Sequence, residues 1–212
     1  MKYKNLIPVL LLFALTFGGC YPGGAEYYDQ LDLVYTNYSK EANFKAQKTY
    51  ARPDSIVKMS SANILDGDGN GLPDFVNKTT TNLILAQLDA NMKAYGYTKV
   101  SKNENPDITI FTVAGQNTDV YYYYNSWYWG WYGSYGGWYY PGYYPPTYSS
   151  VTTGGLLIQM TIPKDSSIDG TIPVVWMSVM SGLLESASSG ASSSRIKKSI
   201  DQAFIQSPYL KK

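Results

Sequence analysis

Between Tyr121 and Tyr148 the chain reads YYYYNSWYWGWYGSYGGWYYPGYYPPTY, a run without one charged residue. It holds most of the 22 Tyr and 5 Trp of the 212-residue chain. Its glycines and prolines exclude a long helix or a regular strand. Whatever fold forms must therefore close around a long insertion, residues 116–150. The flanking segments have to pair without its help.

Those flanks alternate. Asp107 to Val113 (Asp-Ile-Thr-Ile-Phe-Thr-Val) carries the period of a strand. Val151 to Pro163 is a second, with Leu156, Ile158, Met160 and Ile162 on one face. Ile172 to Leu184 is a third, with Val175, Met177 and Val179 set against Trp176 and Ser178. Earlier, Asp29 to Ser39 and Phe44 to Ala51 are rich in strand-forming residues. Tyr97 to Val100 is a short strand.

Leu72 to Tyr95 reads as a helix. Pro73 suits its first turn. Phe75, Val76, Leu83, Ile84, Leu88, Met92 and Tyr95 fall mostly at three- and four-residue spacings on one stripe, and Gly96 fits a left-handed stop. Arg195 to Ile205 is a closing helix, with Ile196, Ile200, Ala203 and Phe204 inward. Sheet and helices are too unevenly mixed for a parallel βαβ wind. The expected fold is α+β: an antiparallel-rich sheet of about five to six strands with two helices packed on one face.

Histidine is absent, which excludes Ser-His-Asp and Cys-His catalysis, histidine zinc sites and histidine bases. The 17 Lys+Arg nearly balance 16 Asp+Glu, so nothing points to nucleic acid. A single cysteine excludes an intramolecular disulfide.

That cysteine, Cys20, ends an apolar run. Lys2 and Lys4 precede Leu6 to Phe17, and Gly18 and Gly19 follow, the layout of a bacterial secretory leader. The run is shorter than the roughly 20 residues a membrane span needs. A cysteine directly after small residues resembles a lipobox, with Phe17 where Leu is usual. The expected organisation is a signal peptide at 1–19, a lipidated tether at 20–27 and one domain at 28–212. Acylated Cys20 would hold the protein in membrane lipid. By resemblance to lipoprotein sorting patterns, Tyr21 after the cysteine favours the outer membrane. The scarcity of acids before Glu26 favours its periplasmic face.

Four stretches taken in order resemble the DUF4136 family of bacterial envelope lipoproteins. They are Phe44-Lys-Ala-Gln-Lys-Thr-Tyr50; Met92-Lys-Ala-Tyr-Gly-Tyr97 with Pro106-Asp-Ile-Thr-Ile110; Trp176 with Gly182; and the close Ser199-Ile-Asp-Gln-Ala-Phe-Ile-Gln-Ser-Pro208. Ser207-Pro208 stands where the family often has Phe-Pro. The resemblance implies an α+β lipoprotein domain. It implies no activity and carries over no catalytic residue.

Three contact roles compete for the aromatic insertion. Its rings, Trp127, Trp129, Trp131, Trp138, Tyr139 and Tyr140 foremost, can stack on the sugars of an envelope glycan. They can sit at a membrane–water interface. They can anchor a protein partner. Against all three stands a plain flap or loop between strands. Base stacking is disfavoured because the segment carries no cation.

Asp66-Gly-Asp-Gly-Asn-Gly-Leu-Pro-Asp74 has the oxygen spacing of a calcium loop. Asp66, Asp68 and Asn70 would take positions 1, 3 and 5, with Gly71 at the turn. Leu72 would give its carbonyl, and Asp74 fits position 9. Position 12 is Asn77, which lacks the bidentate carboxylate. The competing reading is a solvated turn with Asp74 capping the helix. Ca2+ is thus the one cofactor candidate.

The functional expectation is a non-enzymatic envelope lipoprotein whose insertion is its contact surface. One rival is a carboxylate-based, calcium-assisted glycan hydrolase drawing on Asp107, Asp119 and Asp165. Another is a subunit that self-associates through its tyrosines. The sequence sets no oligomeric state.

Overall fold

The computed structural model describes residues 33–60, 63–64, 69, 74–115, 154–165, 174–183 and 192–212. All belong to the compact unit Leu31–Lys212. Among them are eight strands in one mixed sheet. The long ones are β6 (Ile108–Gly115), β7 (Gly155–Thr161) and β8 (Val174–Met180). The others are β1 (Val34–Tyr38), β2 (Thr49–Ala51), β3 (Val57–Ser60), β4 (Asn63–Ile64) and β5 (Thr98–Lys99). Two helices accompany them, α1 (Lys78–Ala94) and α2 (Ser192–Ile205).

The α+β fold is as expected, with two differences. β1, β8, β7 and β6 pair antiparallel in that order. Beyond β6, however, the pairing turns parallel: β2 and β3 both run alongside β6, and β5 runs alongside β2. The strand count exceeds the expectation by the short β3 and β4, and 49–60 forms two pieces. β2 matches the start of β6 (Tyr50↔Ile108) and β3 its end (Val57↔Val113). The interruption contains Pro53, which has no N–H to give to a ladder.

The elements also begin differently from the sequence reading. Residues 44–46 form a short 3-10 turn, not a strand, because the Asn43 side chain accepts from the Ala46 N–H at 3.2 Å. α1 starts at Lys78 and not at Leu72. Phe75 bridges to Val57, and the Val76 N–H donates to the Ile56 carbonyl. Backbone already spent on a strand cannot enter a helix.

β6, β7 and β8 send alternate side chains to the helices. Ile108, Ile110 and Ala114, then Leu156, Ile158 and Met160, then Trp176 and Met180 join Ile84, Leu88 and Met92 of α1. From α2 come Ile196, Ile200, Ala203 and Phe204, the four expected inward residues. The helices contact each other, and Asp201 of α2 accepts from Gln87 and Asn91 of α1, both at 2.6 Å. β1 lies at one end of the strand order. Its Val34 carbonyl accepts from Gln206 Nε2 and its Tyr38 N–H donates to Asn37 Oδ1, so side chains occupy part of that backbone.

Candidate functional site

Strand direction brings the described residues that flank several candidate segments to one end of the sheet. Gly115 closes β6 opposite Gly155, which opens β7, and the Gly154 N–H donates to the Gly115 carbonyl at 3.1 Å. The two ends of the insertion therefore meet at one point. Gly154 holds φ +78, which a side chain would resist. β1 begins at this same end, since Val34 pairs with Met180 and Met180 with Leu156. β3 ends here too (Met59↔Gly115) and turns back through β4, which leads toward the Asp66 segment. So Val34, the β3–β4 pair and the Gly115–Gly155 junction all lie at one end.

The residues themselves divide. Cys20, Asp66, Asp68, Asn70, Leu72, Trp127, Trp129, Trp131, Trp138, Tyr139 and Tyr140 lie outside the described residues, as does Asp119. Asp74 is described. Its carbonyl accepts from the Lys58 N–H at 2.8 Å, which fixes the approach to α1 against β3. The helix cap is Asn77 and not Asp74: the Asn77 side chain accepts from the Thr80 N–H at 2.9 Å. The residue at position 12 of the calcium pattern is thus occupied as an N-cap.

The sheet has a second buried face. Thr109, Phe111 and Val113 of β6, Leu157 and Gln159 of β7, and Met177 and Val179 of β8 point away from the helix-side core. Phe111 and Met177 are 2% and 1% exposed. None of these residues belongs to the core cluster that holds the side chains of α1 and α2. Its middle strands read as nearly continuous apolar runs, as expected of strands covered on both sides.

The described carboxylates serve as ties. Asp107 Oδ2 accepts from the Lys48 and Thr49 N–H groups and the Thr49 hydroxyl, at 2.9 to 3.0 Å. Lys164 Nζ reaches its other oxygen at 2.6 Å. Burial pushes this carboxyl up, but Lys164 and the three donors outweigh it and hold it well below the usual range. A carboxylate so held is a poor proton donor at neutral pH. Asp165 closes a one-turn 3-10 segment after β7. Among the described residues no group of three or more His, Cys, Asp or Glu is placed to hold a metal.

One cluster escaped the sequence reading. Arg52, its side chain 7% exposed, donates from Nε and Nη2 to the two oxygens of Asp89. Tyr50 OH joins Oδ1 at 2.8 Å and Lys99 Nζ joins Oδ2 at 3.2 Å. Arg52 Nη1 goes to the Pro53 carbonyl and to Asp54. Burial, then the bond to Asp89, raises the Tyr50 phenol far above its ordinary value. Burial opposes ionisation of Asp89, but Arg52 and Tyr50 prevail and lower it. The cluster ties α1 to β2 and β5, with each charge partnered.

Comparison with known proteins agrees with this architecture. The family model described as "Domain of unknown function (DUF4136)" matches residues 34–209. No curated protein matches. Among solved structures, a DUF4136 family protein from Bacteroides thetaiotaomicron VPI-5482 is 31% identical, with 85% of this chain and 97% of that one covered at a TM-score of 0.62. A PDZ domain protein from Parabacteroides distasonis ATCC 8503 is 16% identical, with 85% and 37% covered and a TM-score of 0.44. A PelC dodecamer from Paraburkholderia phytofirmans is 13% identical, with 85% and 98% covered and a TM-score of 0.38.

Proposed function

The chain belongs to the DUF4136 family, and from that premise we propose a non-enzymatic, lipid-anchored module of the bacterial envelope. In this reading the leader is removed and acylated Cys20 anchors the domain at the periplasmic face of the outer membrane. The insertion at 116–150 is the contact surface.

One observation carries the reading. The start of β1 and the Gly115–Gly155 junction lie at the same end of the sheet. In this reading the tether and the insertion, whose described attachment points share that end, act on the same side. Tyr and Trp rings favour the membrane–water interface, where the ring is apolar and the OH or NH is wet. Of the three contact classes, the interface beside the anchor is the one this arrangement favours. The occupied state of Asp107 further supports a non-enzymatic role.

The test compares, in cells, the full chain with a version in which Tyr121 to Tyr148 is replaced by a short Gly-Ser linker. Lipid-directed photo-crosslinking is read at sites other than Cys20. Adducts on the full chain that vanish with the linker are the expected result. Equal adducts on both, with both folded, would overturn the interface reading. Glycan or protein captured only by the full chain would transfer the role to that ligand class.

A further inference from the structure

β1 lies at an end of the strand order, with one side turned away from β8. The Ser181 N–H donates to the Leu33 carbonyl at 3.0 Å, and the Ser39 N–H to the Val175 carbonyl at 2.9 Å. The odd-numbered residues of this segment therefore give their backbone groups to β8. Val34, Thr36 and Tyr38 turn theirs outward. The Val34 carbonyl accepts from Gln206 Nε2 at 3.3 Å, and the Tyr38 N–H donates to Asn37 Oδ1 at 2.8 Å. The Thr36 N–H and carbonyl have no partner among the described residues.

The same edge gathers exposed apolar surface. Among the described residues the exposed large hydrophobics are Leu33, Tyr35 and Tyr38 of this segment and Ile205 of α2. Ile205 precedes Gln206, whose side chain meets both the Val34 carbonyl and the Thr36 hydroxyl. From Leu33 to Ser39 the chain carries no charge. An edge of this kind is a template for one more strand. The other end of the strand order, β5, has two residues, as does β4. Neither matches the five residues of β1, whereas a second β1 matches them throughout.

We propose that β1 is a dimerisation edge, on which a second copy of this chain lays its own β1 antiparallel about a two-fold axis at Thr36. Such an interface is isologous, so each contact is made twice. Thr36 faces its counterpart, and both of its outward backbone groups are satisfied at once. Val34 faces Tyr38 of the second copy. The acceptor now held by Gln206 and the donor now held by Asn37 are thereby set against each other, and each side-chain bond is exchanged for a ladder bond. No like charges meet across the axis, because the segment has none. The exposed parts of the four apolar side chains amount to on the order of 400 Å² per copy, about half of the roughly 800 Å² per partner in a stable complex. A reversible dimer, with a Kd in the micromolar range or weaker, is the form this area supports. The proposal asks nothing of the aromatic insertion.

The full chain, in a neutral detergent matched to the solvent density, is followed by sedimentation equilibrium over a range of micromolar concentrations. A mass that rises from one chain to two is expected. Thr36→Pro removes an N–H that points away from β8, so the internal ladder survives. It should raise Kd by about tenfold or more with the near-UV circular dichroism unchanged. Tyr35→Lys keeps every backbone group and should also weaken the dimer, which covers the case of a misfolded proline variant. The register is read separately, by mixing and oxidising differently tagged copies that carry Tyr35→Cys and Asn37→Cys. A mixed bridge between positions 35 and 37, mapped by mass spectrometry, is expected. That pair stands about 4.5 Å apart between Cα atoms, whereas like positions lie beyond the roughly 7 Å that a disulfide spans. The chain with the Gly-Ser linker in place of Tyr121 to Tyr148 should dimerise as the parent does. A monomer at every concentration, unweakened dimers in both β1 variants, or bridges between like positions would each overturn the proposal. So would a dimer lost with the linker, which would give self-association to the insertion, or a different protein's strand captured on this edge in place of the second copy.

Discussion

The Trp176 indole N–H donates to the Ser207 hydroxyl oxygen across 2.8 Å, joining β8 to the turn that follows α2. Both residues are wholly buried. The Tyr209 hydroxyl donates to the same Ser207 oxygen at 3.1 Å. Phe204 lies against the indole at 5.9 Å between centroids. The bond thus links the sheet, the second helix and the tail in one contact. The serine at 207 is thus spent on satisfying the indole.

Removing both partners of that bond should cost less than the sum of removing each alone. Ser207→Ala leaves a buried N–H unsatisfied, at about 1–3 kcal/mol. Trp176→Phe also loses packing. The double variant should fall short of the sum, because the orphaned donor is gone. Urea denaturation of the two single variants and the double variant closes the cycle.

Arg52 and Asp89 should be intolerant of even conservative change. Arg52→Lys loses the two-pronged approach to the carboxylate, since an ammonium cannot reproduce the guanidinium fork. Asp89→Asn leaves a 7% exposed guanidinium without its counter-charge. Breaking such a pair costs about 3–5 kcal/mol when fully buried, so a loss near 2–3 kcal/mol is expected here. Chemical denaturation measures it, and Lys99→Ala, at the exposed side of the cluster, should lie well below that.

Stability should fall at both pH extremes for separate reasons. Asp107 is held below its unfolded value, so unfolding takes up protons. Its contribution is present above about pH 4 and is lost as pH falls toward the folded value. Asp107→Asn should lose stability at pH 7 and converge with the parent in acid. Tyr97 is pushed up to about 12 by burial, from 10.0. Its contribution is complete below pH 10 and is lost as pH rises through 12, at about 3 kcal/mol in total. Tyr97→Phe should flatten the alkaline limb. Melting temperature against pH for the three proteins checks both limbs.

Local alternation and helical spacing carried most of the fold. Ile108 and Ile110 of β6, Leu156, Ile158 and Met160 of β7, and Ile196, Ile200 and Phe204 of α2 point where their spacing puts them. What failed was decided by distant partners. Phe75 and Val76 continue an apolar helical stripe, yet their backbone pairs with residues 56 and 57. Lys58-Met59-Ser60 has no alternation to mark β3, which exists because β6 offers it an edge. Phe111 and Leu157 could not be assigned a covered face from alternation alone. The site was less legible still. Arg52 and Asp89 are 37 residues apart, and no period links them.

Asn77 offers a direct test of the calcium pattern. Its side chain caps α1, so Asn77→Ala should cost about 1 kcal/mol and fray the first turn. Asp is an equally good cap and gains from the helix dipole. It also supplies a carboxylate at position 12 of the Asp66 pattern. If the Asp66–Asp74 loop takes calcium, the parent should melt higher in millimolar calcium and Asn77→Asp should shift more steeply. Magnesium should not substitute, because it demands tighter octahedral geometry. Asn77→Ala should keep whatever shift the parent has, since an amide at position 12 gives little charge. Equal melting of parent and Asn77→Asp with and without calcium would reduce Asp66, Asp68 and Asn70 to a solvated turn ahead of the cap.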